Sequence, residues 1–471
     1  MKRYEYVAQQ LREQIHTGQL RCGDPLPSLR SQSERLAVSK NTVIHAYQQL
    51  EAEGLIEPRA RQGFFISHKS PTPAVSATPR PVRLGALALN VIRAASREDL
   101  QPLGSADPDT RFPARAQLYK IMARHARRRA YFMPAISHYQ PPPGDNLLRS
   151  RLAQHISETA LSCQPQELII CNGVQEGISL SLRALAQPGD IIAVESPSFY
   201  GTLQCIEALG LKVLEIPSLP GEGIDQNRLA AALKAWPIKA LLLNPNINNP
   251  LGFQMSAQAQ CNLMQLTAPY QLPIIEDDVF GELHYQSHRA PPLKTMDTDG
   301  RVILCSSFSK SLDSDLRLGW LIAGRYYEEL NYLKYVTTLA SSGLIQEACA
   351  EFMAERRFPR HLRRIRRTYK QRGELYAEDM HRYMPADVTY SQPEGAYLSW
   401  LALPPHCSGD AVYQRALAEN IAITPGSLFS TGGEYSHCIR LNFSVYDGNT
   451  ALRQALARVA DLIREEIDQT A

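Results

Sequence analysis

Apolar positions recur at helical spacing from the start of the chain. Tyr4, Val7, Leu11 and Ile15 line one face, and Gly18 ends the helix they predict. The run PLPSLR at 25–30 turns the chain, and Ser28 is placed to cap a second short helix reaching Leu36. A third helix follows Val38, capped by Ser39, with Val43, Ala46, Tyr47 and Leu50 on one side and Gly54 as its stop. Two short strands, 55–57 and 63–66, flank a tip carrying Arg59, Arg61 and Gln62. Three helices and a β-hairpin make a winged helix over residues 1–67.

The pattern then lapses. Residues 68–83, HKSPTPAVSATPRPVR, hold four prolines and no period, which predicts an extended spacer. It could run on to residue 100, although 84–95 could form a short helix. From about 101 strands and helices alternate, as in an α/β protein with a mainly parallel sheet. Candidate strands are 168–171, 191–194, 213–216, 240–243, 274–275, 302–305 and 318–322. A smaller α/β unit follows, with strands near 397–400, 421–424 and 439–443. The expected division is a large part over 101–325 and a small part over 326–471.

Composition narrows the class without naming it. A chain of 471 residues holds about three structural units, and 44% hydrophobic with 21% charged residues is ordinary for a globular protein. A net charge of +3 is too small to bind nucleic acid by itself, so any such contact must be local. The nine cysteines are scattered with no CxxC pair, which fits a reducing cytoplasm and argues against a disulfide framework or a zinc site; no metal is expected. MKRYEYVAQQ lacks an apolar signal segment and no run is long enough to span a membrane, so the expectation is a cytoplasmic protein.

The third predicted helix begins SKNT, short or basic polar groups at the end that faces base edges in such modules. Lys40 can reach a phosphate or a guanine, Asn41 an adenine, and Ser39 and Thr42 phosphate oxygens. Arg59 and Arg61 suit a basic wing tip. The plainer alternative is a protein-binding helical module with a solvated helix start. The segment GDPLPSLRSQSERLAVSKNTVIHAYQQLEAEGLI, followed by QGFF, resembles the DNA-binding domain of the GntR regulators over almost all of residues 1–67. That resemblance implies DNA contacts at Arg30, at Ser39, Lys40, Asn41 and Thr42, and at Gly63.

In the larger part, polar motifs sit where strands end, which is where such sheets carry ligands. CNGVQEGIS enters a helix, so the amides of Val174 and Gln175 could bind an anion. ESPSFYGTLQ offers Phe199 or Tyr200 as an aromatic platform, and NPNINNPLG places Asn249 in a turn made by Pro250 and Gly252. EDDVFGEL presents Asp277 and Asp278. SFSKSLDSDLR sets Lys310 among Ser307, Ser309 and Arg317, an amine for an aldehyde beside groups that take a phosphate. Each motif alone has a dull counterpart in a turn, a cap or a solvated edge. Their fixed order at strand ends does not.

The combination resembles the fold-type I aminotransferases, which bind pyridoxal phosphate (PLP), over roughly residues 104–468. Joined to a GntR winged helix, it resembles the MocR subfamily of regulators. The implied fold class is α/β, a winged helix-turn-helix plus an aminotransferase fold with a large parallel-sheet part and a small C-terminal part. By resemblance Lys310 joins the cofactor, Asp277 pairs with its ring nitrogen, Asn249 bonds the ring hydroxyl and Phe199 stacks on the ring. Val174, Gln175, Ser307, Ser309 and Arg317 hold the phosphate, and Tyr139 reaches the neighbouring subunit's cofactor in a homodimer. Phe280 stands where relatives carry tyrosine and cannot donate to the ring oxygen, while Ser314 replaces a common proline and Asp278 reads as structural. PGSLF and IRLNF resemble the closing motifs of that fold, which makes Arg440 the grip on an α-carboxylate, with a structural ion pair as the alternative. The basic run RRFPRHLRRIRRTYKQR reads as a solvated face rather than a DNA contact.

The function implied is a PLP-dependent transcription regulator that binds double-stranded operator DNA and senses PLP or a small amino compound. The competing reading is an active aminotransferase that carries a DNA-binding domain. A third is a scaffold that has lost PLP.

Overall fold

The computed structural model describes residues 3–16, 24–36, 38–52, 55–59, 63–66, 78–95, 97–132, 138–158, 161–219 and 221–470. At the front, helices Arg3–His16, Leu29–Arg35 and Lys40–Ala52 precede an antiparallel hairpin, Ile56–Arg59 against Gly63–Ile66. The apolar faces read from the spacing meet in one small core of Val7, Leu11, Val43, Ala46, Tyr47, Leu50 and Ile56. Tyr47 closes it from the side: its hydroxyl donates to the Pro27 carbonyl at 2.8 Å and its ring meets Phe64 edge-on at 5.2 Å. The caps are where the polar residues predict them, with Ser28 accepting the Ser31 amide and Ser39 the Thr42 amide, each at 3.2 Å. The first strand extends to Arg59 rather than ending at 57, because Arg59 still pairs with Gly63.

Residues 68–77 of the expected spacer lie outside the described residues, and so do Gly18, Gly54, Arg61 and Gln62. Over 78–83 the expected spacer is instead docked on the sheet, while the short helix allowed over 84–95 does form. Arg80–Pro81 pairs antiparallel with Lys212–Val213 at the edge of the large sheet, Val82 is buried, and Gly85–Ala95 is a helix that buries Ala88, Val91 and Ala94. Arg80 anchors the segment by bridging two carboxylates, Glu215 on the sheet and Glu434 near the C-terminus.

The large sheet has nine strands. Arg80–Pro81 forms one edge, and Leu168–Cys171 the other. Between them come Lys212–Leu219, Ile191–Ser196, Ile238–Leu243, Ile274–Asp277, Val302–Ser307 and Gly319–Ile322 in that order, with Gly223–Ile224 paired to Lys212–Leu219. The five inner strands from Lys212–Leu219 to Val302–Ser307 are parallel, and helices cross between them. Gly319–Ile322 runs antiparallel to both its neighbours, so Leu168–Cys171 points the same way as the parallel set. The C-terminal ends of these strands therefore share one edge of the sheet, and every motif read from the sequence of this part opens there.

The C-terminal part adds an antiparallel sheet of Thr389–Tyr390, Leu398–Ala402, Cys438–Asn442 and Thr424–Pro425. The expected strand over 421–424 is two short pieces. Ile421–Ala422 instead pairs in parallel with Gln101–Pro102, which ties the start of the expected large part to the small one. Helix Arg357–Tyr383 spans between the parts. No described helix is long and apolar enough to cross a membrane.

Candidate functional site

Lys310 sits in the turn after strand Val302–Ser307, and Phe308 holds that turn down. The Phe308 ring is fully buried and lies edge-on to Trp320 at 5.1 Å and to Phe358 at 5.3 Å. The Ser309 amide donates to the Ser307 hydroxyl at 3.3 Å, which leaves both buried serines facing the turn. Burial pushes the Lys310 amine below its ordinary range, and the Asp107 carboxylate, 3.6 Å from Nζ, works against that shift. The neighbouring parallel strand ends in Asp277, also buried, which accepts the Val279 amide at 3.1 Å. Burial raises its carboxyl to about 7, with Asp278 adding to the shift while the Val279 amide and Lys310 oppose it.

An anion cradle lies beside the lysine. Helix Val174–Leu185 starts at Gly173, whose φ of +87° no side chain would adopt comfortably, and no side chain caps its first amides. Arg317, itself left-handed at φ +43°, reaches across and donates from Nη2 to the Asn172 carbonyl at 3.1 Å. A Cβ on Gly173 would lie 2.8 Å from that Nη2. Glycine thus keeps open a space between helix amides and a guanidinium that suits a phosphate.

Across the site, the loop after strand Ile191–Ser196 carries two half-buried rings, Phe199 and Tyr200, 4.6 Å apart and tilted by 50°. Phe199 lies against Gly201, where an added Cβ would meet the ring at 2.5 Å, and Gln175 ties this loop to the cradle through the Gly201 carbonyl at 2.7 Å. Tyr200 turns instead toward Arg440 and Phe429. The two aromatic candidates thus separate, one beside the cradle and one beside the arginine.

Arg440 has no exposed surface and no carboxylate partner among the described residues. Its guanidinium donates to the Asn249 side-chain oxygen at 3.1 Å, to the Gly104 carbonyl at 2.9 Å and to the Thr424 hydroxyl at 3.4 Å. Nε is buried without a partner among the described residues. Burial draws its pKa below the ordinary value. A structural ion pair, the alternative reading of this arginine, is not what the geometry contains.

The remaining candidates scatter. Phe280 is buried in the core, edge-on to Tyr397 at 5.8 Å. Tyr139 is 77% exposed. Asp278 is internal, paired with Arg289. Arg289 also meets Glu282 at 2.8 Å, and Glu282 in turn takes Arg366 at 2.8 Å. Arg366 and Arg372, the latter 2.8 Å from Asp109, remove two members of the basic run from the solvated face predicted for it; Arg360, Arg363, Arg364 and Arg367 remain exposed. At the front, Arg30, Ser39, Lys40 and Asn41 are exposed, and the hydroxyls of Ser39 and Thr42 bond each other at 2.8 Å. Gly63 turns the wing at φ +103°. The Arg59 backbone lies in the hairpin, and Arg61 lies outside the described residues.

Sequence reasoning missed Asp107, Gly104 and Thr424. The latter two meet Arg440 through a carbonyl and a hydroxyl from segments far apart in the chain, and Asp107 is one acid in a loop rich in them.

Comparison with known proteins agrees with both ends of the chain. Residues 103–459 match the family described as aminotransferase class I and II, and residues 3–66 match the bacterial regulatory proteins of the gntR family. The uncharacterized HTH-type transcriptional regulator YjiR of Escherichia coli (strain K12) is 35% identical over 98% of this chain and 99% of its own length. A probable rhizopine catabolism regulatory protein of Rhizobium meliloti, MocR, is 26% identical over 90% of this chain and 86% of its own. Among solved structures, LysN, the alpha-aminoadipate aminotransferase of Thermus thermophilus complexed with N-(5'-phosphopyridoxyl)-L-leucine, superposes with a TM-score of 0.73 at 26% identity, covering 80% of this chain and 95% of that one. The Pyrococcus horikoshii kynurenine aminotransferase gives 0.74 at 26% identity, over 82% and 95%.

Proposed function

This chain belongs to the aminotransferase class I and II family and, through its front segment, to the gntR family of bacterial regulatory proteins, and on that premise we propose how its two ends work together. It is a DNA-binding transcription regulator with a pyridoxal phosphate site, and the larger part senses a small amino compound that carries a carboxylate.

The residues of the site fit that cofactor. The space that a Cβ on Gly173 would fill, ringed by helix amides and Arg317, suits its phosphate. A buried carboxyl raised to about 7 chiefly by lost solvation would be stabilised as a carboxylate by a cation beside it, which is what a protonated ring nitrogen would offer Asp277. Val174, Gln175, Ser307 and Ser309 would share the phosphate with Arg317, Asn249 would take the ring hydroxyl, and Phe199 would lie on the ring face. When bound, pyridoxal phosphate supplies an aldehyde that takes up primary amines and a ring that withdraws electrons. Lys310, its amine already weakened as a base by burial, has more of the neutral form that attacks an aldehyde.

The observation that carries the sensing role is Arg440. A guanidinium wholly out of water, with no carboxylate of its own among the described residues and one nitrogen unpartnered, is set to take an anion by a two-pronged bond. It also holds both parts at once, through Asn249 on one side and Thr424 on the other. A carboxylate arriving there changes the contact between the parts, and a ligand that binds one arrangement better shifts the population toward it. The front domain reads that shift at DNA, with Arg30, Ser39, Lys40, Asn41, Thr42 and Gly63 at the duplex and Arg59 on the wing. A homodimer belongs to this reading, in which Tyr139, 77% exposed, would reach the neighbouring subunit's cofactor.

Titrating the PLP-loaded chain with amino acids while following operator binding tests this. A shift in DNA affinity with an amine supports it; no shift with any amine, against intact cofactor, sinks it. A working aminotransferase is the second reading, favoured by the coexistence of Lys310, Asp277 and Arg440 in one site. Sustained keto-acid production over many turnovers would decide for it.

A further inference from the structure

Two anions meet at the start of helix Val174–Leu185. On the reading above, on which this inference rests, a phosphate takes the open side, between the first amides and Arg317. The other anion belongs to the chain. Glu176, in the first turn of that helix, reaches back to Asn172, accepting its side-chain amide at 3.3 Å and its backbone amide as well. Asn172 directly precedes Gly173, and its carbonyl accepts from Arg317 Nη2 at 3.1 Å. The carboxylate therefore frames the cradle from behind. Its charge has the wrong sign for that place, because a carboxylate beside a phosphate repels it.

Lys334 cancels that charge. It lies in helix Tyr327–Thr338 and is buried, with 1% of its side chain exposed. Its Nζ donates to Glu176 Oε2 at 2.8 Å and to the Thr338 hydroxyl at 2.7 Å. Lysine is almost never taken out of water unless it is paired. A buried pair of this kind adds little net stability, since lost solvation offsets the attraction. Stability alone does not account for it here. The pair lets an acid hold the cradle's backbone without its field reaching the phosphate.

We propose that Lys334 is a positioning residue of the cofactor site, which acts through Glu176 to neutralise the back of the phosphate cradle. Its effect falls on the phosphate and not on the ring, whose residues Asp277 and Lys310 stand on other elements.

The test uses the full-length chain stripped of cofactor and two probes, pyridoxamine 5'-phosphate and pyridoxamine, which share a ring and differ in the phosphate. Calorimetry at pH 7.5 gives both affinities for the natural chain, for Lys334→Met, and for Lys334→Met combined with Glu176→Gln. Methionine keeps the length and drops the charge, and glutamine keeps an oxygen for the Asn172 amide. The preference for the phosphorylated probe should fall about tenfold in Lys334→Met, the effect of one uncompensated charge behind a dianion, with pyridoxamine affinity unchanged. The double variant should regain most of that preference. An unchanged preference in Lys334→Met overturns the proposal. A preference lost and not regained in the double variant means that the lysine only braces two helices, and the proposal falls too. Should Lys334→Met not fold, Glu176→Gln alone decides: the lysine's charge then stands unopposed and the preference should rise, and a preference that stays or drops overturns the proposal. If the natural chain binds both probes equally, the phosphate cradle itself is misassigned, which separates that failure from this one.

Discussion

Arg440 donates to the side-chain oxygen of Asn249 at 3.1 Å, joining a strand of the C-terminal sheet to the loop after Ile238–Leu243. Asn249 is the residue proposed for the cofactor ring and Arg440 the one proposed for the effector, so on that proposal this hydrogen bond would link the two ligands' sites. Replacing Arg440 by lysine keeps the charge and loses the fork. The expected outcome is amino-acid affinity lower by about tenfold or more, as one charge-assisted bond is lost, with PLP content close to normal. Unchanged amino-acid affinity by calorimetry would remove Arg440 from the site.

Lys310→Ala is expected to abolish covalent retention of PLP while the cradle still admits it. Borohydride followed by mass measurement checks this: the natural chain gains the cofactor's mass at Lys310, and the variant gains none. Label found at another lysine would mean the aldehyde's partner has been misassigned.

The buried Asp277 ties stability to pH. Its carboxyl is raised from 3.8 to about 7 in the folded chain, so between those values the folded state holds a proton that the unfolded state has released. The Asp277 contribution to the stability of the cofactor-free chain should therefore fall as pH rises through that window and level off above it. The upper bound is on the order of 4 kcal/mol from this group. Glu195 and Glu276, each raised to about 8 chiefly by burial, push the same way. Thermal melts from pH 4 to 8 should show the decline, Asp277→Asn should reduce it, and PLP should reduce it in the natural chain. His284 and His361, each lowered to about 4 chiefly by burial, push the opposite way below about 6.5, so the test is the difference between the two chains: identical profiles for the natural chain and Asp277→Asn would contradict the burial argument.

Gly173→Ala puts a side chain where φ is +87° and a Cβ would lie 2.8 Å from the Arg317 Nη2. That backbone, φ +87° with ψ 171°, is one essentially only glycine adopts and costs about 1–3 kcal/mol for a side chain, and the Arg317 guanidinium must shift. Faster PLP release on dilution is the expected result. Release at the natural rate would argue that the phosphate sits elsewhere.

At the front, Lys40→Ala should weaken duplex binding about equally for all sequences and lower the salt slope by about 1. Asn41→Ala should instead cost about 1–3 kcal/mol for one operator base and relax the choice there. Titrations at several salt concentrations tell the two apart. Identical behaviour of both variants would place this helix start off the bases.

Much of this was legible because the signals are local. Tyr47 and Leu50 declare a helix face by spacing alone, Ser39 caps its start within three residues, and Lys310 and Asp277 stand at the ends of apolar runs that are strands. What stayed hidden depends on partners far along the chain. Arg80–Pro81 looks like spacer until Lys212–Val213 offers it an edge, and Gln101–Pro102 belongs to the smaller part only because Ile421–Ala422 pairs with it. Asp107 is an ordinary loop acid until the fold brings Lys310 beside it. The antiparallel run of Gly319–Ile322 was likewise invisible, since an apolar strand carries no mark of its direction.

The double grip of Arg80 joins two regions of the larger part through one side chain. One guanidinium clasps Glu215 on the sheet and Glu434 a few residues before strand Cys438–Asn442. If the two acids draw apart when a ligand settles on Arg440, Arg80 must let one of them go. The strand that begins the larger part is thus fastened to both of its divisions at once, and any change in their separation would be felt at Arg80.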